Sequence, residues 1–509
     1  MDLTNSPVIM LNPADDVAVA RLALQPGASI GLGVTASGVI PQGHKIAVKP
    51  ISAGQPVRKY GQIIGLATCD IAAGEHVHVH NVAMDEGSRS YEYCVDAAPT
   101  SLMPEAERAT FNGYLREDGR VGTRNYIAVI SSVTCSATVS RAVANHFNRE
   151  GGLAGFDNVD GVVPLTHGGG CSISGYGEAF AYLERTLAGY ARHPNIGGVV
   201  MIGLGCETNQ IPHLMQNFDL KESPTFRAMT IQGSGGTRKT IDMACDAIRE
   251  MLPLVNAAQR TPQSAAGLVL ALECGGSDGY SGVSANPALG YAADLLVRNG
   301  GTVVLSETPE VYGAEHLLTR RAVSVDVAEK LLTRIAWWKD YVLRNKADLN
   351  NNPSHGNKAG GLTTILEKSL GAVTKSGSTA LTGVYEYAER IDSKGFVFMD
   401  TPGNDAVAVT GQVAGGSNLI CFTTGRGSTA GFKPSPCIKL ASNNAMYERM
   451  RDDMDVNCGT IVSGEESIED VGRRIFAKIL DIASGAQTLS ESYDYGENEF
   501  VPWQIGATM

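Results

Sequence analysis

Four cysteines stand in the same kind of place, just past an apolar run. Tyr126-Ile-Ala-Val-Ile130 runs into a small polar tip that carries Cys135. The run over 159–165 ends in Thr-His167-Gly-Gly-Gly-Cys171, that over 199–205 at Cys206-Glu207, and that over 268–272 at Glu273-Cys274-Gly-Gly-Ser277-Asp278. Thiolates suit iron, zinc and iron–sulfur clusters. No CxxC pairing joins these four, so the case for a ligand set rests on their shared position. Taken singly, each is equally a small residue in a tight, buried turn.

Other runs end on acids, histidines and arginine. Residues 302–305 lead to Glu307 and Glu310, a pair suited to holding a metal or moving protons. Residues 419–422 lead to Gly425-Arg426-Gly427, where a guanidinium could pair with a substrate carboxylate; Lys358 and Arg124 are further candidates. His76, His78 and His80 alternate, so a strand would put all three on one face, as a metal site or a solvated edge, with His44 able to join them. Gly275-Gly-Ser277-Asp-Gly279 fits the G-x-S-x-G of a serine hydrolase, and His167-Gly-Gly-Gly170 looks like an oxyanion motif. Against that reading, Gly282 and Pro287 delay the helix that should follow a nucleophile elbow at once.

The elements that must position these residues fall into blocks. Residues 1–95 read as a small β domain with repeated I-x-x-G turns, and 96–110 as a linker. From 111 the pattern becomes strand, loop, helix, with a second boundary near 261, giving α/β domains over 111–260 and 261–509. Helices are expected over 136–148, 177–191, 240–252, 325–345 and 470–483, and a loop over 350–361. Open parallel sheets bind ligands at the C-terminal ends of their strands, which is where the chemistry-bearing residues fall. At 509 residues the chain holds several domains, and its net charge of −12 argues against nucleic-acid or anionic-membrane binding. No apolar run is long enough to span a bilayer and the first residues lack a signal peptide's features, so the expected location is the cytoplasm, with thiols rather than disulfides.

Together the motifs resemble the altronate/galactarate dehydratase family. The matching stretches are Pro41-Gln-Gly-His44-Lys45, Gly74-Glu-His-Val-His-Val-His-Asn81, Asp118-Gly-Arg-Val-Gly-Thr-Arg-Asn125 and Ile202-Gly-Leu-Gly-Cys-Glu207. They continue with Glu273-Cys-Gly-Gly-Ser-Asp278, Ser284-Ala-Asn-Pro287, Ser306-Glu-Thr-Pro-Glu310, Gly356-Asn-Lys-Ala-Gly-Gly361 and Thr423-Thr-Gly-Arg-Gly427. The resemblance implies a β-clip (SAF-like) domain, a second α/β domain that helps a homodimer or larger homo-oligomer to form, and a Rossmann-like parallel-sheet domain. It implies a sugar-acid substrate and a metal, iron as Fe2+ or an iron–sulfur cluster, with Mn2+ as a substitute. The histidine-rich 74–81 segment looks closer to the altronate branch.

Dehydrating a 2,3-dihydroxy acid requires a base for the proton beside the carboxylate, a cation for the enediolate, and an acid for the leaving hydroxyl. The expected metal ligands are Cys135, Cys171, Cys206 and Cys274, with Glu207 or the Glu307/Glu310 pair as alternatives. His167, His44 and His78 are the expected base or acid. Arg426, Lys358, Ser277, Asp278 and Asn286 would hold the substrate. A related lyase acting on a sulfolactate-type acid, a Ser277 hydrolase and a sugar-acid binding protein are the competing readings.

Overall fold

Short strands broken by glycine turns build the N-terminal unit. Val8–Ile9, Val17–Ala20, Lys45–Ala47 and His76–Val77 form one antiparallel sheet, and Pro56–Lys59, Gln62–Ala67 and Val82–Ala83 a second. The computed structural model describes residues 6–506 apart from Glu86, Ser88 and Glu150. Beyond this unit the chain runs along the C-terminal domain, where Cys94 N–H and Asp96 N–H donate to the carbonyls of Thr319 and Arg320.

The second domain is entered through Thr110–Leu115 and left through Arg260–Ser264, and these two strands pair antiparallel. Between them lies a parallel sheet in the order Gly161–Leu165, Tyr126–Ser131, Ile196–Gly203, Phe226–Thr230. The first three of these strands are apolar on both faces, as parallel strands covered by helices must be. Ala137–Phe147 and Thr237–Asn256 cover one face with Val139, Val143, Ile248 and Met251. The other face shares its core with the C-terminal domain, through helix Glu178–Ala191 packed on helix Asp405–Ala414. An aromatic stack fills that seam: Trp338 and Trp503 are nearly coplanar at 5.4 Å, and Tyr182 stacks on Trp503 at 5.1 Å.

The C-terminal domain carries a seven-stranded parallel sheet. Its order is Leu381–Tyr385, Gly395–Met399, Thr302–Leu305, Val269–Cys274, Leu419–Thr424, Cys437–Ala441, Val456–Asn457. From Val269–Cys274 the chain steps to one side, and it later returns to add Leu419–Thr424 on the other. That reversal is a topological switch point, the place where open parallel sheets form a ligand crevice.

The two parallel sheets are joined at the starts of their strands. Asn195 Oδ1 accepts from Thr123 N–H at 2.7 Å, Asn195 Nδ2 donates to Pro434 O, and Asn418 Nδ2 donates to Val121 O. Arg124, expected as a carboxylate binder, is spent here. Its buried guanidinium pairs with Glu491 at 2.6 Å and donates to the carbonyls of Thr123, Ile482 and Ala486. The expected helices form, at Ala137–Phe147, Glu178–Ala191, Thr237–Asn256, Val325–Arg344 and Ile468–Ala483. The expected loop over 350–361 instead contains a short helix, His355–Ala359, because Ser354 and Asn357 close a capping box.

Candidate functional site

At the switch point, the tips of Val269–Cys274 and Leu419–Thr424 are stapled together. Gly425 N–H and Arg426 N–H both donate to Gly276 O. Gly425 lies against Asp278, where no side chain would fit. The helix His355–Ala359 closes on the same tip, with Asn357 Nδ2 donating to Ser277 O at 2.8 Å. Gly360 sits against Asp278, and Gly43 of the N-terminal domain against Gly360 and Tyr280. Side chains on three separate parts of the chain are thus brought to one crevice.

The N-terminal domain contributes histidines there. His44 is buried, and its Nε2 lies 3.2 Å from Ala359 O. A carbonyl only accepts, so Nε2 carries the proton and Nδ1 keeps its lone pair, facing His76 Nε2 at 3.0 Å. His78 stands 4.8 Å from His44, ring to ring, and its Nδ1 is buried without a partner. Burial lowers His44, brings His76 down to about 4 and His78 to about 3, so the rings are neutral at pH 7 and able to ligate. One ligand atom from each of His44, His76 and His78 lies within 4.8 Å of the others. A metal-binding histidine typically donates its second ring N–H to a carbonyl, as His44 does. An unpartnered nitrogen and a fixed tautomer fit a divalent ion.

The expected strand through His80 does not form. It stops at Val77, and Asn81 bends the chain by accepting from His78 N–H and donating to His76 O. The turn still keeps the rings together, with His76 and His80 5.4 Å apart. The neighbouring Lys45 fastens the domain in place. Its ammonium donates to Gly361 O at 2.6 Å and to Glu367 at 2.8 Å, and Lys59 takes the other oxygen of Glu367 at 2.9 Å. Burial, opposed by Glu367, holds Lys45 down at about 8, while the two lysines and Thr363 keep the Glu367 carboxyl far below its usual range despite burial.

Beneath the crevice lies a second charged group. Cys274, Glu307 and Glu310 meet there, and Glu273 and Asp405 extend the set through Glu307. All but Asp405 are fully buried. Lys375 Nζ is 2.8 Å from Cys274 Sγ and 3.1 Å from Glu307, and Lys368 pairs with Glu310 at 2.6 Å. Two ammonium groups therefore stand where a metal would have to sit, and this set fits an ion poorly. Burial pushes Cys274, Glu273 and Glu307 up, and burial with Glu307 and Glu310 raises Asp405 to about 7. For Glu310, the cations of Lys368 and Lys375 more than offset burial, and its carboxyl ends below the ordinary range. Lys368 and Lys375 escaped the sequence reading, because nothing local marks a helical lysine as buried.

The other expected residues divide. Cys135, Cys171 and Cys206 lie exposed on the second-domain tips, whereas Cys274 is buried in the C-terminal sheet, so the four do not form one ligand set. Both ring nitrogens of His167 are used within the fold, Nε2 on Ser131 O and Nδ1 accepting from Gly169 N–H. That makes it a pin for its loop rather than an open base. Glu207 accepts from Ser132 Oγ and from Leu204 and Gly205 N–H, which occupies both of its oxygens. Asp278 accepts from Tyr280, Ser281, Ser442 and Asn443, and Asn286 bridges Thr423 and Gly371. Both are tied into the fold. Ser277 Oγ, Lys358 and Arg426 remain: the first is buried without a partner, and neither cation has an ion pair or side-chain hydrogen bond among the described residues. No histidine bonds Ser277, which removes the hydrolase reading.

Three family models cover nearly the whole chain in order. They are the altronate/galactarate dehydratase SAF domain over 6–85, the D-galactarate dehydratase/altronate hydrolase second domain over 113–256, and the D-galactarate/altronate dehydratase C-terminal domain over 265–508. The chain belongs to the altronate/galactarate dehydratase family. It is 38% identical to a galactarate dehydratase (L-threo-forming) of Escherichia coli K12, over 95% of this chain and 94% of the relative. It is 34% identical to an altronate dehydratase of Bacillus subtilis 168, over 96% and 97%. The beta subunit of a (2R)-sulfolactate sulfo-lyase of Chromohalobacter salexigens is 32% identical, over 78% of this chain and 98% of that subunit. These identities give the altronate branch no preference over the galactarate branch. As a family member the chain is a hydro-lyase, a sugar-acid dehydratase with side-chain groups suited to a metal.

Proposed function

We propose that the chain removes water from a galactarate-like aldarate, or with lower turnover from an altronate-like aldonate, to give a 2-keto-3-deoxy acid. The observation that carries this reading is the seating of the His44, His76 and His78 set against Ala359, at the switch-point crevice that also holds Ser277 and Arg426. An Fe(II) ion held by the three imidazoles, or Mn(II) in its place, supplies positive charge for the enediolate. His44 offers Nδ1 because Ala359 O fixes its proton on Nε2. Arg426 and Lys358, both without ion-pair partners among the described residues, bind carboxylate, and two such cations suit a substrate with a carboxylate at each end. Ser277 Oγ donates to a substrate oxygen. His80, exposed beside His76, is the histidine left free to take the proton from the carbon next to the carboxylate. The adjacent hydroxyl leaves as water, carrying off the proton that His80 took, and the enol becomes the ketone.

The test is a keto-acid assay on anaerobic, Fe(II)-loaded enzyme with galactarate and altronate in parallel. Product from galactarate, lost in His76→Ala, is expected. Sulfite from sulfolactate, with no keto acid from either sugar acid, would move the chain to the sulfo-lyase branch. We also place the chain in the cytoplasm, since all ten cysteines are free thiols. A homodimer through the second domain is supported by exposed Met243 and Leu254, eleven residues apart and so on one face of helix Thr237–Asn256. A monomer mass by light scattering would remove the dimer.

A further inference from the structure

Two cavities of about 690 Å3 and about 300 Å3 lie in the seam between the second and C-terminal domains, and both are walled by Arg120, Arg390, Gly415 and Gly416. They open at the starts of the strands. Val269 lines the larger one, and its strand ends at Cys274 under the crevice, about 17 Å away at about 3.3 Å per residue. The chain as a whole is acidic, at −12. The walls of these cavities are not: five cations, Arg120, Arg185, Arg192, Arg390 and Lys394, face two acids, Glu389 and Asp392.

A surface arginine ordinarily finds an acid, but here the acids are already engaged. Asp118 pairs with Arg120 at 2.6 Å, Glu386 with Arg185 at 2.8 Å and Asp219 with Lys221 at 3.0 Å. Asp392 accepts from Tyr385 Oη at 2.6 Å, and Glu389 from Glu386 N–H at 2.7 Å. Arg192 and Arg390 are left with no ion pair or side-chain hydrogen bond among the described residues, and the hydrogen bond of Lys394 goes to a carbonyl, Ala266 O, at 2.6 Å. Arg192 caps helix Glu178–Ala191, whose negative end suits one cation. It does not account for three guanidiniums together. Arg120 Nη2 donates to Arg192 O at 2.6 Å, and burial with the charges of Arg390 and Arg120 holds Arg192 below its usual range despite Asp219.

We propose that this seam binds a small organic dianion, with an oxyanion group at each end of a short carbon chain, as a second ligand site apart from the histidine crevice and independent of the reaction there. Guanidinium groups hold carboxylate and phosphate by paired hydrogen bonds. Arg192 lines the smaller cavity, Lys394 the larger, and Arg390 both. Arg192 and Arg390 therefore take one oxyanion group and Lys394 the other. The larger cavity has the volume of an organic-ligand pocket, and a bare inorganic anion would leave most of it empty. Arg192 belongs to the second domain and Arg390 and Lys394 to the C-terminal domain, so the bound dianion ties the two together at the joint of their sheets.

The experiment is isothermal titration calorimetry of the anaerobic, Fe(II)-loaded full chain with adipate and with 3-phosphonopropionate. Neither probe has a hydroxyl to lose, so each reports binding alone; the tighter one tells a dicarboxylate from a phosphorylated acid. A Kd of about 1 mM or tighter is expected for at least one of them. The double variant Arg192→Gln, Arg390→Gln should weaken it tenfold or more with Tm unchanged, since neither side chain has a partner in the fold to lose. Arg390→Gln alone, on an exposed side chain, should weaken it in the same direction. Arg426→Gln should leave it as in wild type, which separates this site from the crevice whatever the keto-acid assay gives. No binding of either probe at about 10 mM, wild-type binding by the double variant, or loss of binding in Arg426→Gln would overturn the assignment.

Discussion

His167 and His193 use one device. In each ring Nδ1 accepts an N–H from two residues ahead, and Nε2 donates to a carbonyl on a neighbouring segment. Burial keeps both neutral, lowering His167 to about 4 and His193 to about 3. A folded-state pKa below the unfolded value of about 6.5 gives stability that is full above that pH and is lost as pH falls toward the folded value. For His193, fully buried, the loss between pH 6.5 and 3 is on the order of 4 kcal/mol. Asp400 and Asp405, raised to about 6 and about 7, work the other way in the same window. The measurement is therefore a difference: His193→Gln should lose less stability than wild type between pH 6.5 and 4.5 in urea titrations. Equal slopes would show that the ring titrates normally. His78 has the opposite environment, with a nitrogen left without a partner. His78→Ala should lower iron affinity by tenfold or more, while His167→Gln should leave it unchanged; metal analysis after dialysis reads both.

At the scale of elements, what was legible depended on distance along the chain. Helix Val325–Arg344 follows from its own apolar spacing and the Ser324 cap, and the crevice tips follow from apolar runs that end on polar residues. The histidine turn was hidden, because alternation at 76, 78 and 80 suits a strand equally well and only Asn81 decides otherwise. Lys375 was hidden more deeply. Its thiol partner is 101 residues away and its own segment looks like any short helix end. The clamp on Glu367 belongs to the same class, joining residues more than 300 positions apart. Glu367→Gln should cost about 3–5 kcal/mol, since it leaves Lys45 and Lys59 buried without their counter-charge. Chemical denaturation would show it, along with faster cleavage in the 96–110 linker. A loss under 1 kcal/mol would mean that water reaches the clamp. Gly170→Ala should cost about 1–3 kcal/mol through its left-handed backbone and the contact with Ser132 O.

The whole molecule is three units with unequal seams. The second and C-terminal domains share an aromatic core, whereas the N-terminal domain is held by the Glu367 ion pairs, the His44 contact and the packing of Tyr280. A relative that spans 78% of this chain is itself one subunit of a sulfo-lyase. Residues 1–95 and 100–509, expressed as separate chains, are therefore expected to reassociate and recover keto-acid production, with co-elution on gel filtration as the check. Failure to co-elute would make the covalent linker essential to the interface. The seam at the strand starts has a different consequence. Asn195, Thr123 and Asn418 bind the two parallel sheets at the starts of their strands, and Cys135, Cys206, Cys274 and Arg426 stand at or past the other ends. The arrangement is that of a pair of tweezers, in which a slight rotation at the joint becomes a larger displacement at the points. Asn418→Ala touches no reacting group, yet its effect should reach the points as a changed spacing between the cysteine loops and the histidine crevice.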